Sequence, residues 1–269
     1  MSSDERYWVQ KNDNYTLFLE DLRKNAQNFP GWLSYFAPHK NYKMRYENSK
    51  DIHGILSFWN INMDISLDLN KALKNRSSVP VNKLTNDWTE TEILFLLNKA
   101  ISDGTRLRKN GGNEGQNIPL RNYPSGGAEY PISTYLLFNK NIGIFKKNQA
   151  YLVHGDVGEI TKQPINNKNI FKNAFAVGQF NKKLSEQMDE ISFATIFSMN
   201  LKYSFPKYRT FSRQLAFIEA GHIAQNIQLI CSAMGKASIC SGGVLNDKSK
   251  EMLGIIDDDT FIIYGVFVG

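Results

Sequence analysis

The chain has 269 residues, of which 42% are hydrophobic and 22% are charged, and its formal net charge is +6. This length and composition are typical of a globular protein with one large domain or two small ones. No apolar run approaches the roughly 20 residues that span a bilayer, so we expect no membrane partner. The amino-terminal residues carry early acids and no apolar segment, unlike a secretory signal, and a cytoplasmic location is predicted.

The positive charge is spread along the chain, with lysines recurring in separate segments, for example at Lys140, Lys146 and Lys182. Proteins that bind nucleic acid concentrate basic residues on one face or one helix, so we expect no nucleic-acid partner. The two cysteines, Cys231 and Cys240, match no metal-ligand spacing, and no metal site is predicted. Their apolar and small neighbours favour free, buried thiols.

Residues 1–60 are rich in aromatic side chains and irregular in pattern. One short amphipathic helix is predicted at Tyr15–Asn25, and Pro30–Gly31 follows it as a break. We interpret residues 1–60 as an N-terminal extension that packs on the core or on a partner. Residues 61–269 are interpreted as the main domain.

The clearest predicted helix is Asp87–Ser102 (DWTETEILFLLNKAIS). Asp87 or Thr89 can cap its first turn, and its apolar residues form one broad face. The polar, glycine-rich segment Asp103–Asn117 follows and is predicted to be a loop. Its position before the next motif suggests a cover for a functional site.

The most informative stretch is Arg121–Pro131 (RNYPSGGAEYP), which leads into the apolar run Ile132–Phe138. Gly126 and Gly127 permit positive φ angles and a close backbone approach to a ligand. The apolar run is β-branched, aromatic and aliphatic, and it predicts a buried strand. The sequence therefore predicts a loop with accessible backbone amides at the start of a core strand, or, from composition alone, an ordinary tight turn.

The C-terminal third is predicted to place one long helix between two strands. These elements are the strand Asp189–Asn200, the helix Gln214–Ala233 and the strand Phe261–Val268. The helix is apolar nearly all round, which is typical of a central buried helix.

Three motifs occur in a fixed order: PSGGAxYP at Pro124–Pro131, EAGHxAQN at Glu219–Asn226, and SGG at Ser241–Gly243. Together, over roughly residues 70–269, they resemble the SagB-type flavin dehydrogenases, a branch of the nitroreductase-like superfamily. The resemblance implies an α+β, nitroreductase-like FMN-binding fold. In that fold a central, mostly antiparallel sheet is flanked by helices, and two chains form an intertwined homodimer.

The resemblance also implies where FMN binds. Related proteins hold the flavin phosphate with an Arg-Arg-Ser-x-Arg element, whose guanidinium and hydroxyl groups make charge-assisted hydrogen bonds. Here Asn75 and Val79 replace the outer arginines, so the predicted phosphate residues are Arg76, Ser77 and Ser78, and a simple polar turn is the alternative.

Two glycine-containing segments complete the implied cofactor set. By this resemblance, the backbone of the second segment (Ser241–Gly243) faces the flavin N5 and O4 atoms. The first segment (Pro124–Gly127) reaches across to the flavin of the partner subunit. The residues are Ser241, Gly242 and Gly243 in the second segment and Pro124, Ser125, Gly126 and Gly127 in the first.

The family carries a catalytic Lys-Tyr pair at a fixed distance before the EAGH motif. Counting back from Glu219 places this pair at Lys207–Tyr208 without a gap, whereas Lys202–Tyr203 requires a five-residue shift and ranks second. The Arg-Gly-Tyr-Arg that usually follows in the family is replaced by Phe211–Gln214. Oxidation of an azoline ring removes a proton and a hydride, so the pair suits the proton-transfer role beside a flavin.

The predicted function is therefore the FMN-dependent oxidation of thiazolines or oxazolines to thiazoles or oxazoles in a ribosomally made precursor peptide. The predicted partners are that azoline-containing peptide, cyclodehydratase subunits of a synthetase complex, and a second copy of the chain. One alternative is an NAD(P)H-dependent nitroreductase or quinone reductase. Another is a flavin-poor scaffold subunit of the same complex, which the reduced phosphate motif favours.

Overall fold

The computed structural model describes residues 54–65, 67–85, 87–109, 117–165, 169–176, 186–202 and 204–269. The predicted helix Tyr15–Asn25 and most of the N-terminal extension lie outside these ranges. Within them, no helix is both long enough and apolar enough to cross a membrane.

A seven-stranded sheet forms the centre of the molecule, and every strand pairing in it is antiparallel. The strands are β1 (Leu56–Ser57), β4 (Ile132–Phe138), β5 (Ala150–His154), β6 (Glu159–Lys162), β7 (Phe193–Asn200), β8 (Ser238–Ser241) and β9 (Thr260–Val268), with β2 (Leu107–Lys109) and β3 (Asn117–Pro119) forming a separate ribbon. The order in the sheet is β1-β6-β5-β4-β7-β9-β8. The predicted α+β class with an antiparallel central sheet is confirmed.

The two central strands, β4 and β7, pair along their length from Ile132 opposite Met199 to Phe138 opposite Phe193. Six of the seven residues of β4 are buried, as its continuous apolar run predicts. The strand predicted at Asp189–Asn200 begins later, at Phe193, because Met188–Glu190 forms a short 3-10 turn.

Six helices flank the sheet in the described part of the chain. They are α1 (Leu69–Asn75), α2 (Glu90–Ala100), α3 (Ile170–Ala174), α4 (Phe205–Tyr208), α5 (Phe211–Ala233) and α6 (Asn246–Leu253). Helix α2 begins with a capping box. The Thr89 hydroxyl accepts a hydrogen bond from the Glu92 backbone N–H, and the Glu92 carboxylate accepts one from the Thr89 backbone N–H. This reciprocal cap fixes the helix start at Glu90 rather than at Asp87.

Core side chains lie on both faces of the sheet, because successive residues of a strand point to opposite sides. On one face, Leu136 and Phe138 pack against α2 and α5. On the other face, Tyr135 and Leu137 pack against α3 and α6. The molecule therefore has a helix–sheet–helix layering with β4 and β7 in the middle.

The long helix α5 differs from the prediction that it is buried all round. Ile223 and Ile227 are fully buried, but Phe217 and Ile218 on the opposite side are about half exposed, at 50% and 53%. Within one chain the sheet covers only one side of this helix. The helix also begins three residues earlier than predicted, at Phe211.

The segment Asp103–Asn117 also differs from its prediction as a loop. Its described ends form β2 and β3, which pair from Leu107 opposite Pro119 to Lys109 opposite Asn117. Residues 110–116 lie outside the described ranges, so the suggested cover over the site stays a prediction.

Candidate active site

The PSGGA loop folds back on itself immediately before β4. The Ala128 N–H donates to the Ser125 carbonyl (3.1 Å), and the Tyr130 N–H donates to the Ser125 hydroxyl (2.9 Å). Gly127, Ala128 and Tyr130 have positive φ angles of 62°, 58° and 47°. Two of these residues are not glycine, so the surrounding packing must hold this backbone in place.

A buried arginine provides part of that packing from beneath the loop. The Arg121 guanidinium donates to Asp156 Oδ1 (2.9 Å), to the Tyr123 hydroxyl (2.5 Å) and to the Ile132 carbonyl (3.3 Å). It also lies 4.7 Å from the centre of the Tyr130 ring. Burial raises the pKa of the Tyr123 hydroxyl above its usual range, so this group stays protonated. The cluster ties both ends of the loop to the core.

Helix α5 holds the same loop from the side through its EAGHxAQN motif. Asn226 Nδ2 donates to the carbonyls of Asn122 and Ala100, each at 3.2 Å, and His222 Nδ1 lies 3.3 Å from the Pro124 carbonyl. A Cβ added to Gly126 would meet the Leu215 side chain of α5 at 2.9 Å. The first two sequence motifs are therefore neighbours in space.

The structure brings the predicted Lys207–Tyr208 pair against this loop. Both residues lie on the short helix α4, which ends just before α5, and the turn between the helices passes through Arg209 at a φ of 52°. A Cβ on Gly127 would clash with Lys207 Nζ and with the Tyr208 hydroxyl oxygen. A side chain at this position would be strained by the positive φ and would displace the ends of the two side chains.

An acid that the sequence interpretation did not single out completes this group. Glu129 Oε1 lies 3.3 Å from Lys207 Nζ, and the lysine and glutamate side chains are only 7% and 3% exposed. Glu129 occupies the unspecified position of PSGGAxYP, so the motif gave no reason to select it. The one available signal is an acidic side chain inside an otherwise uncharged glycine loop.

The second-ranked pair, Lys202–Tyr203, is placed differently. Lys202 is exposed and its backbone N–H donates to Asn200 Oδ1 (3.0 Å), while Tyr203 lies outside the described residues. The described geometry therefore supports Lys207 as the lysine beside the glycine loop.

The predicted phosphate residues lie near the opposite end of α5. Arg76 follows the last residue of α1, and its N–H donates to the Ala72 carbonyl (2.9 Å). Ser77 lines a cavity of about 350 Å³ together with Gln228, Ser232 and Ser238. Ser77 and Ser78 are both exposed.

The Ser241–Gly243 segment begins at the last residue of β8, at the edge of the sheet. The Gly243 N–H donates to the Ser241 hydroxyl (3.3 Å), and the Gly243 carbonyl accepts from the Ala176 N–H (2.7 Å). A Cβ on Gly242 would meet no atom within 4 Å. Burial raises the pKa of the preceding Cys240 thiol. The Val79 N–H donates to the Ser238 carbonyl (3.1 Å), so the chain just after the predicted phosphate residues lies against β8.

The ten predicted cofactor residues thus form two groups within one chain. The loop contacts α5 at Leu215 and His222 and the cavity contacts it at Ser232, which lies about 25 Å and about 15 Å farther along the helix at 1.5 Å per residue. At the sheet, β9 and β7 separate β8 from β4, a distance of about 14 Å. Gly127 and Ser241 therefore lie in different parts of a single chain.

The antiparallel sheet with helices on both faces, and a glycine loop at the start of its central strand, defines a nitroreductase-like fold. The profile of the Nitroreductase family matches residues 87–269, and the chain belongs to this family. It is therefore a nitroreductase-like oxidoreductase, and members of the family typically bind flavin. The division of the chain near residue 60 stays a prediction.

Solved structures show the same fold at low sequence identity. The chain is similar to a chain of the Escherichia coli microcin synthetase McbBCD complex with truncated pro-MccB17 bound, with a TM-score of 0.56, 20% identity, and coverage of 87% of this chain and 82% of that chain. It is also similar to a Ralstonia eutropha protein assigned as a nitroreductase, with a TM-score of 0.55, 15% identity, and coverage of 77% and 85%. A search of the curated proteins found no significant match.

Proposed function

We propose that the protein is a cytoplasmic, FMN-dependent azoline dehydrogenase that converts thiazolines or oxazolines of a ribosomally made precursor peptide to thiazoles or oxazoles. The observation that carries this proposal is the contact of Lys207 and Tyr208 with Gly127. It unites a proton-transferring pair with a glycine loop of the kind that admits a flat ligand.

The reaction requires the protein to move one proton. Forming the azole removes a proton from one ring carbon and a hydride from its neighbour, and bound FMN would supply the hydride acceptor. Lys207 Nζ and the Tyr208 hydroxyl are the polar atoms that the chain presents over Gly127, and we assign the proton to them. The low exposure of the Lys207 side chain limits competing contact with water.

The residues present fit FMN by their chemistry. Arg76, Ser77 and Ser78 offer a guanidinium and two hydroxyl groups, which suit a phosphate. The open backbone at Gly242 suits a close approach to the flavin ring. We propose that these residues hold FMN together with Ser241, and that Pro124–Gly127 comes from a second copy of the chain.

A homodimer accounts for the separation of the two groups and for the surface of α5. Phe217 and Ile218 expose large apolar side chains next to Gly221, on the side of α5 that the sheet does not cover. Exposed apolar surface of this kind is typical of a protein–protein contact. A second α5 packed there would place the loop of one chain near the partner chain.

The proposed peptide substrate and cyclodehydratase partners draw support from one similar structure. The microcin synthetase complex contains several protein components with a pro-peptide bound, and one of its chains shares the fold. We propose the same kind of assembly here. The NAD(P)H-dependent nitroreductase is the second candidate, because the Nitroreductase family match favours it.

The test is to purify the protein, record its visible spectrum, and incubate it under air with a precursor peptide that carries preformed azoline rings. Mass spectrometry then measures the loss of two hydrogens per ring for wild type, Lys207→Ala and, as a matched control, Lys202→Ala. We expect yellow proteins throughout, full activity in wild type and Lys202→Ala, and a loss in Lys207→Ala.

The other possible results would support a different function or contradict the assignment of Lys207. A yellow wild type that leaves azolines intact but oxidises NAD(P)H would favour the nitroreductase. A colourless, inactive wild type would favour the scaffold subunit. A fully active Lys207→Ala protein would contradict the assignment of the proton to this pair.

A further inference from the structure

We propose that Glu129 is a positioning residue for the proposed proton-transferring pair, so that Glu129, Lys207 and Tyr208 work as one unit. This inference rests on the proposed function, because it assigns Glu129 a part in the same site. Nothing in the PSGGAxYP pattern itself requires an acid at this position.

The contact joins two separate parts of the chain. Glu129 Oε1 accepts from Lys207 Nζ at 3.3 Å, although the two residues are 78 positions apart. Both side chains are almost fully buried. Burying a charge is energetically costly unless an opposite charge and hydrogen bonds compensate for it. Each of these two side chains is therefore stabilised in its buried position by the other.

The loop backbone around Glu129 is shaped to present this side chain. Gly127 and Ala128 before it and Tyr130 after it all have positive φ, while Glu129 itself has a relaxed φ of −81°. Non-glycine residues persist in such conformations only where the surroundings fix them, and these outliers cluster at functional sites. Here they place a carboxylate beside the lysine of α4.

The carboxylate also limits the freedom of the Lys207 side chain, and it compensates the positive charge that forms when a neutral Lys207 Nζ takes the proton from the ring carbon. A lysine side chain has four rotatable bonds and one compact charge, which moves readily unless a partner holds it. Glu129 binds Lys207 Nζ, the backbone at Gly127 packs against it, and the centre of the Tyr208 ring lies 5.1 Å from it. These three contacts fix Nζ beside the tyrosine hydroxyl.

Glu129 therefore acts through Lys207 and is not assigned a contact with the substrate. Glu129→Gln keeps the shape of the side chain but removes its charge, and Glu129→Asp keeps the charge but shortens the reach by one methylene. The matched control is Glu92→Gln, which changes another Lys–Glu pair (Lys236–Glu92, 2.9 Å) away from the glycine loop.

The experiment measures kcat and KM for azole formation, the FMN absorbance per chain, and deuterium isotope effects. Peptides are labelled separately at each of the two ring carbons that lose hydrogen. We expect Glu129→Gln to lower kcat by about 100-fold, as displacement of a catalytic group by about 1 Å does, with KM and bound FMN unchanged. The isotope effect should rise at one ring carbon, the one that loses the proton, and Glu92→Gln should match wild type.

The inference is overturned if Glu129→Gln retains the wild-type kcat, or if its loss of rate comes with lost FMN and no change in either isotope effect. If Glu129→Gln does not fold, Glu129→Asp replaces it: reduced kcat at unchanged KM supports the inference, and a wild-type kcat overturns it. Failure of the proposed function is distinguishable, because it appears as an inactive wild type before any variant is compared.

Discussion

Replacing Gly127 by alanine tests whether the glycine loop and the Lys207–Tyr208 pair form one site. Gly127 has a φ of 62°, and an L-residue in the left-handed region costs about 1–2 kcal/mol. The new Cβ would also clash with Lys207 Nζ and the Tyr208 hydroxyl. Restoring ordinary contact requires these atoms to move by about 1 Å, a displacement that can cost about 100-fold in rate.

Gly254→Ala is the matched control for the backbone cost. Gly254 has a φ of 66°, but a Cβ there would meet no atom within 4 Å. We expect urea unfolding to show a loss of about 1–2 kcal/mol in the free energy of unfolding for both variants. Only Gly127→Ala should lose azole-forming rate, measured by mass spectrometry at equal FMN content.

Equal rates in Gly127→Ala and Gly254→Ala would refute this reasoning, because the clash would then have no consequence for the chemistry. A loss of rate in both variants at unchanged FMN content would also count against it. The reduced rate would then follow from lowered stability and not from the contact at Gly127.

Three further predictions concern stability, each measured by urea unfolding. Arg121→Met should lower the free energy of unfolding by about 3–5 kcal/mol because it removes one partner of the buried Arg121–Asp156 charge pair, and removing both charges should cost less than the two single changes together. Burial raises the pKa of the Cys231 thiol to about 12 from 9.0, so as the pH rises the thiol of the unfolded chain loses its proton before the thiol of the folded chain. The free energy of unfolding should therefore fall as the pH rises above 9, by about 1 kcal/mol at pH 10 relative to Cys231→Ala. Thr89→Ala should cost about 1 kcal/mol through loss of the α2 cap, whereas Thr105→Ala on an exposed turn should change stability by less than about 0.5 kcal/mol.

The elements that sequence patterns predicted well are those whose signal is local. The strand Ile132–Phe138 has the predicted bounds because its residues form one continuous apolar run beside a proline. The sequence predicted a cap at Asp87 or Thr89, and the structure has it at Thr89, whose partner Glu92 is only three residues away.

The features that the patterns missed depend on long-range packing. The hydrogen bond from Asn226 to Asn122 spans 104 positions, and neither residue's local pattern specifies the other. The apolar pattern of α5 predicted a central buried helix, but the pattern does not specify which side of the helix a single chain covers. Glu129 was missed because an acid in a loop is ordinarily a solvated residue, and only its buried contact with Lys207 distinguishes it.

The hydrogen bonds from Asn226, and the approach of His222 to the Pro124 carbonyl, limit how this protein can be recombined with others of its fold. The loop at 122–127 and the middle of α5 form one structural module despite being far apart in sequence. A chimera that moves the glycine loop alone onto another scaffold would leave the Asn122 carbonyl without the Asn226 amide that binds it here. Transferring the loop in its present conformation to another scaffold therefore requires both segments, in the same relative register.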